Sequence, residues 1–429
     1  MPKRIIIDTD PGVDDILALL LAFSASSAEL EVLLVSLTFG NIEIKKCLHN
    51  AVSLFHVIEK ELAHRGEAGE HTFSALKACR PILACGAEGP LDGSKVDAGY
   101  FHGHDGLGNV HTKCPHLSAD DTYQALFSGQ EAADEEKEKL FIPSRQPSHL
   151  EMLRLLRENE EDSITIVAVG PLTNLALAAA EDLPTFLRAK EVVIMGGAID
   201  EPGNVTPFAE FNVFADPLAA AQLFALTSLN PRRTWPTSSP MPCPTLPGKK
   251  RLTLKMAPLD LTHAHNFTPT AFREAITAHL QRNSPLAELI STVVEHTFST
   301  ISGLKLARRE ATTAEEEMSL HDPVCVWYVL TSDEGWTWRE RDVRVETVAQ
   351  WTRGATVVDR RIVGRIDTDV VDKVVVEEDD AGVEVEVEVE AEEREDDRGG
   401  WRAGGNRVGV LERGPGSLLS EEILQRVFA

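Results

Sequence analysis

Three isoleucines, Ile5 to Ile7, run directly into Asp8-Thr9-Asp10-Pro11-Gly12-Val13-Asp14-Asp15, and this junction constrains the chain more than any other feature. The isoleucines have the length and β-branched character of a buried strand. Side chains of a strand repeat every second residue, so Asp8 and Asp10 leave one face. Pro11-Gly12 turns the chain, and Asp14-Asp15 open the next element, a helix through Phe23. Four carboxylates then converge on one small volume. At about 4 Å and an effective dielectric near 20, each like-charged pair repels by roughly 4 kcal/mol, so a cation among them is the simplest remedy. Carboxylate oxygens with no His or Cys close by in sequence suit a hard ion such as Ca²⁺ or Mg²⁺ better than zinc. Helix capping alone accounts for one of Asp14 and Asp15 but leaves Asp8 and Asp10 unexplained.

Strand-length apolar runs alternate with helix-period segments along the chain, which predicts an α/β fold: an open, Rossmann-like, mostly parallel sheet with helices on both faces. The strands are expected at Arg4 to Thr9, Glu31 to Thr38, Pro81 to Cys85, Ser163 to Val169, Glu191 to Met195 and Leu252 to Leu261. Helices are expected at Asp14 to Phe23, Lys45 to Glu61, His149 to Arg157, Leu172 to Ala180, Pro217 to Phe224, Pro285 to Thr297 and His321 to Leu330. Ligands of such sheets sit outside the carboxyl ends of the strands, where Asp10 and Gly170 fall.

The 429 residues read as one domain with surface insertions near 128–148, 235–248, 303–317 and 377–400. The net charge of −26 is uneven, because residues 377–397 hold thirteen Asp or Glu against the single Arg394. The run Val383 to Val389 alternates with Glu and allows an edge hairpin, but so dense a charge run favours a solvated, mobile insertion. No basic stripe is present for a nucleic acid, and no anionic membrane would attract the chain. Six cysteines scattered without metal-ligand spacing fit a reducing compartment, and Asp8 cuts the first apolar segment too short for a secretory signal. A soluble, cytoplasmic protein is expected.

Several separated blocks have a further consequence. After the acidic junction come Phe39-Gly40-Asn41, His102-Gly103 with Asp105-Gly106-Leu107-Gly108, and Val169-Gly170-Pro171-Leu172-Thr173-Asn174. Met195-Gly196-Gly197, Gly203-Asn204, Glu210-Phe211-Asn212, Asp216-Pro217, Leu259-Asp260-Leu261-Thr262-His263 and His321-Asp322-Pro323 follow. In order and spacing these blocks resemble the inosine-uridine preferring nucleoside hydrolases. The resemblance implies hydrolysis of the N-glycosidic bond of ribonucleosides with a bound Ca²⁺, by a homodimer or homotetramer. It implies that Asp10, Asp15, Asp322 and the Val169 carbonyl hold the ion, and that Asp10 takes a proton from the attacking water. Asp14, Asn41, Asn204, Glu210 and Asn212 would hold the ribose, and Asp8 would orient its neighbours by hydrogen bonding. The oxocarbenium-like transition state needs a departing base that is neutralised. His321, beside Asp322, is the candidate acid, His102 a contact to the base or the ribose 5′ side, and His263 a weaker candidate.

The asparagines also have a local reading. Asn41 and Asn174 follow turn-like sequences, and for Asn174 a helix-start role is expected. Glu210 and Asn212, two apart, would face one side if extended. Two other accounts compete. In an aspartyl-nucleophile Mg²⁺ phosphatase Asp8 would be phosphorylated, but the blocks around Glu210 and His321 then have no role. A non-catalytic nucleoside or ribose binder would keep the fold without turnover.

Overall fold

A computed structural model describes residues 1–69, 71–94, 96–128, 139–308, 316–361, 375–378, 384–387, 401 and 404–428, with the backbone alone at 68, 128, 308, 375–378 and 384–387. Its centre is a nine-stranded sheet. Strand β1 (Lys3–Thr9) lies in the middle, with β2 (Leu30–Leu37), β3 (Ile82–Cys85) and β4 (Ile142–Pro143) on one side. On the other side are β5 (Ile164–Ala168), β6 (Glu191–Met195), β7 (Leu254–Ala257) and the strands Val408–Arg413 and Thr337–Arg341. Within this sheet, among the described residues, only the edge strand Thr337–Arg341 pairs antiparallel.

Isoleucines 5 to 7 are fully buried because β1 is covered on both faces, the condition under which a strand reads as a continuous apolar run. Ile5 and Ile7 pack toward the layer containing helices α1 (Val13–Phe23), α2 (Ile44–Arg65), Pro285–Arg308 and Pro323–Thr331. Ile6 packs with Ile166 and Leu34 toward Ser148–Glu158, Thr173–Glu181 and Pro217–Ala225. Helix α1 is apolar nearly all round and buried over almost its whole length, so core packing rather than amphipathicity fixes its place.

The chain leaves β1 toward β2, β3 and β4, then returns to β5 on the other side of β1. The carboxyl ends of β1 and β5 therefore border a switch point, the crevice in which open α/β sheets bind ligands. Asp8 pairs with Ser36 of β2 and Ala168 of β5, which sets the acidic loop and Val169-Gly170 side by side.

The expected strands form, with one shortened. The run Leu252 to Leu261 divides into β7 and a short helix, Leu259–Thr262, separated by Pro258, which has no N–H to donate to a ladder. The helix expected over Pro285 to Thr297 continues to Arg308 and absorbs the first residues of the expected 303–317 insertion. Helices Pro269–Gln281 and Leu419–Phe428, and the hairpin Val343–Val345 with Thr356–Val358, have no counterpart in the sequence expectations. Residues 129–138 and 309–315 lie outside the described residues. Of the acidic stretch, Val375–Glu378 pairs antiparallel with Glu384–Val387, and the rest also lies outside them. No helix among the described residues is long and apolar enough to cross a membrane.

Candidate active site

The acidic loop is built around Asp15. At the third position of α1 its carboxylate reaches back to the Gly12 N–H at 2.9 Å, the half of a capping box that satisfies a helix-start amide. It also accepts from Thr9 Oγ1 at 2.5 Å, the Asp10 N–H at 3.2 Å and Asn41 Nδ2 at 2.9 Å. Asn41 makes two further bonds to Asp10, with its N–H to Oδ2 at 2.6 Å and its Nδ2 to the carbonyl at 3.2 Å. The second strand's end loop thereby locks the first.

Oxygens of Asp14, Asp15 and Asp322 lie within 4.8 Å of one another, although Asp322 stands some three hundred residues away in sequence. The N–H of Asp322 hydrogen-bonds the Asp14 carboxylate. Asp10 is fully buried beside this triad, and its Oδ1 has no hydrogen-bond partner. Gly170 explains the closeness of β5: a Cβ there would stand 2.4 Å from that oxygen. Burial, reinforced by Asp15, pushes the Asp10 carboxyl well above the carboxylate range, and burial with Asp14 and Asp15 does the same to Asp322. Asp14 is raised to about 7 by burial and by Asp15. Carboxyls this close need either shared protons or a cation, and an orphaned buried oxygen next to three convergent carboxylates fits a hard divalent ion.

Asp8 belongs to a different set. It is fully buried, with Oδ2 accepting from Ser36 Oγ at 2.5 Å and Asn174 Nδ2 at 2.8 Å, and burial raises its carboxyl to about 7. Its Oδ1, like that of Asp10, has no hydrogen-bond partner, but Asp8 is not among the clustered carboxylates Asp14, Asp15 and Asp322. Asn174 also donates to the Leu37 carbonyl at 3.0 Å and accepts from the Ala87 N–H at 2.8 Å. The helix-start role expected for Asn174 is therefore incomplete: its amide joins Asp8 to the strand ends of β2 and β3.

The extended geometry expected for Glu210 and Asn212 does not hold. Glu210 is extended, but Asn212 lies in the helix Phe211–Ala215 that Glu210 caps, its carboxylate accepting from the Asn212, Val213 and Gly197 N–H groups. Asn212 donates to the Val169 carbonyl at 2.8 Å, leaving that oxygen its second lone pair. Asn204 is exposed and accepts from the Phe211 N–H at 3.0 Å, so it stands at the rim, outside the carboxylate cluster.

Two histidines complete the site. His102 ends the short helix Gly99–His102, and His321 sits immediately before Asp322. Burial depresses both to about 3, helped by His296 for His102 and by His263 and His102 for His321. Thr262 Oγ1 lies 2.7 Å from Nδ1 of His321, which leaves Nε2 for a substrate. His263 packs edge-on against His321 but is exposed, and its Nδ1 lies 2.5 Å from Glu201. Ser36 escapes the sequence reading, and Thr262 and Asn174 appear there without these partners, because single polar residues at strand ends and loops carry no spacing signal.

The family model of the inosine-uridine preferring nucleoside hydrolases matches residues 5–394. The chain belongs to that family. It is accordingly a hydrolase acting on N-glycosyl compounds. It is 29% identical over 361 residues to the inosine-uridine preferring nucleoside hydrolase of Crithidia fasciculata, covering 84% of this chain and 89% of that one. An uncharacterized protein of Schizosaccharomyces pombe is 28% identical over 377 residues, 88% of this chain and 96% of the relative. In fold the family member resembles a plant nucleoside hydrolase, with a TM-score of 0.65 and 22% identity over the full length of both chains.

Proposed function

We propose that this protein hydrolyses the N-glycosidic bond of ribonucleosides to ribose and free base in a calcium-dependent reaction. One observation carries the reading: Asp14, Asp15 and Asp322 converge beside the unpartnered Oδ1 of Asp10 at the sheet's switch point, with His321 adjoining. The name of the Crithidia fasciculata relative, an inosine-uridine preferring enzyme, supports a nucleoside as substrate.

A calcium ion held by Asp10, Asp15, Asp322 and the Val169 carbonyl would supply a hard positive centre that gathers ribose hydroxyls and makes water more acidic. Asp10 takes the proton of the attacking water, through the oxygen that has no other partner. Asp14, Asn41, Asn204, Glu210 and Asn212 hold the sugar, and the surrounding carboxylates favour the positive charge that develops on it. His321 serves the departing base through Nε2. Its depressed pKa makes it a strong acid when protonated but leaves few molecules protonated at neutral pH. His102 faces the same space from the loop after β3. The six thiols are all free, which supports a reducing, cytoplasmic setting, and assembly as a homodimer or homotetramer follows the resemblance.

Free ribose assayed across a panel of purine and pyrimidine nucleosides tests this reading. Phosphate release from small phosphoesters without ribose would instead favour the aspartyl phosphatase, and calorimetric binding without turnover the silent binder.

A further inference from the structure

Four consecutive residues in a segment to which no role has been given, Arg353-Gly354-Ala355-Thr356, touch four separate pieces of chain around the site. Arg353 donates from Nη1 to the Phe214 carbonyl at 2.7 Å, and its guanidinium lies 5.0 Å over the Phe214 ring. From Nη2 it reaches Asp92 Oδ2 and Ser94 Oγ, each at 2.8 Å, in the loop after β3. Gly354, at φ +82°, presses on Phe214 so closely that a Cβ would lie 2.7 Å from its Cα, and only glycine fits there without strain. Ala355 bridges Ala209 antiparallel. Thr356 Oγ1 accepts the Ala198 N–H at 3.0 Å and donates to the Ala198 carbonyl at 2.6 Å.

Apart from the bonds to Asp92 and Ser94, the contacts land on segments that hold Glu210 or Asn212. Ala198 follows Gly197, whose N–H holds Glu210, while Ala209 precedes Glu210 and Phe214 lies in the helix that carries Asn212. Asn212 in turn holds the Val169 carbonyl. The helix Phe211–Ala215 is only five residues long, too short to hold its own shape. Something outside it must do so.

We infer that Arg353 and Thr356 are positioning residues: the hairpin segment they occupy clamps the Gly197–Ala198 loop and the Phe211–Ala215 helix, and thereby aims Glu210 and Asn212 at the ribose. The inference rests on the proposed nucleoside hydrolysis for its kinetic consequence but not for its structural one. The clamp acts on orientation and leaves Asp10 and His321 untouched.

Hydrogen–deuterium exchange and steady-state kinetics of full-length Thr356→Val and Arg353→Met separate the two. Thr356→Val keeps the shape and deletes both bonds to Ala198; should it fail to fold, Arg353→Met carries the same test. The amides of residues 196–214 are expected to exchange faster while those of β1 do not change. The KM for nucleosides should rise about 10- to 100-fold, as for outer-shell partners of a site, with the pH profile of kcat/KM unmoved. Thr356→Ser, which retains the hydroxyl, should restore most of the loss, and Val357→Ala, 39% exposed on the same hairpin, should leave both readings unchanged. Unaltered exchange at 196–214 in both variants, or faster exchange with unchanged KM, overturns the clamp. Absence of nucleoside hydrolysis in the unmodified protein would overturn the proposed function instead, with the exchange data still reporting on the clamp.

Discussion

The backbone N–H of Val13 donates to Nδ1 of His102 at 3.2 Å, tying the imidazole to the first turn of the helix that carries Asp14 and Asp15. An amide can only donate, so Nδ1 keeps its lone pair and the ring proton sits on Nε2. Burial and the nearby His296 hold the group at about 3, so it stays neutral at physiological pH. Nitrogen NMR should find His102 as the Nε2–H tautomer with no titration between about pH 5 and 8, the range in which an ordinary histidine changes charge. Protonation of Nδ1 within that range would break the link to Val13.

Asp10→Asn should retain the fold, because the amide oxygen can still accept the Asn41 N–H that Asp10 accepts at 2.6 Å. The proton acceptor and the charge disappear together, so kcat should fall about 10²- to 10⁴-fold, the usual contribution of a general base. Melting temperature and far-ultraviolet dichroism should move little. Near-normal turnover would exclude Asp10 as the base.

The β1 strand, its acidic loop and the parallel sheet are legible in the sequence because they are local: an apolar run, a Pro-Gly turn and an amphipathic period each sit within a few residues. Asp322 and Asp14 meet only through the fold, and the separation between them hides the triad from any argument on spacing; the family resemblance supplied that residue. Asn174 reads as a turn asparagine since its partners, Asp8, Leu37 and Ala87, come from three other segments. The edge strand Thr337–Arg341 is mostly exposed and highly charged, so it lacks the buried pattern that marks the inner strands. Val408–Arg413 begins only after the acidic stretch, far from the strand Leu254–Ala257 it pairs with.

Removal of the cation should expose the repulsion among the carboxylates. The folded-state pKa values of Asp8, by burial alone, and of Asp14, by burial and by Asp15, are raised from 3.8 to about 7, so the folded protein binds protons more tightly than the unfolded chain. Stability from these groups is complete below the unfolded value and is lost as pH rises through about 7. Chelated protein should therefore melt at lower temperature at pH 8 than at pH 5, with added calcium abolishing much of the difference. Chelation should also abolish hydrolysis reversibly. A melting temperature that climbs with pH in chelator would show that these carboxyls are not the protonated groups.

His321→Ala should distinguish substrates by their leaving groups. Nε2 is the nitrogen that Thr262 leaves free, so its loss removes assistance to the departing base while the carboxylates around Asp10 remain. The fall in kcat is expected to be about 10²-fold or more for bases that leave poorly and much smaller for a nitrophenyl riboside, whose nitrophenolate departs without needing a proton. Equal losses across both kinds of substrate would assign His321 to binding instead.

Asn174→Ala tests whether one amide holds the strand ends together. The side chain is fully buried and makes four bonds, to Asp8 at 2.8 Å, the Leu37 carbonyl at 3.0 Å, Ser36 Oγ at 3.3 Å and the Ala87 N–H at 2.8 Å. Truncation strands several of these groups away from water, where each unsatisfied partner costs about 1 to 3 kcal/mol. The denaturation midpoint should drop by an amount equivalent to about 3 kcal/mol. Asn174→Asp should be worse, because it sets a second carboxylate against one already raised to about 7. A loss within about 0.5 kcal/mol for Asn174→Ala, the range of an ordinary surface substitution, would return this residue to a simple helix-start role.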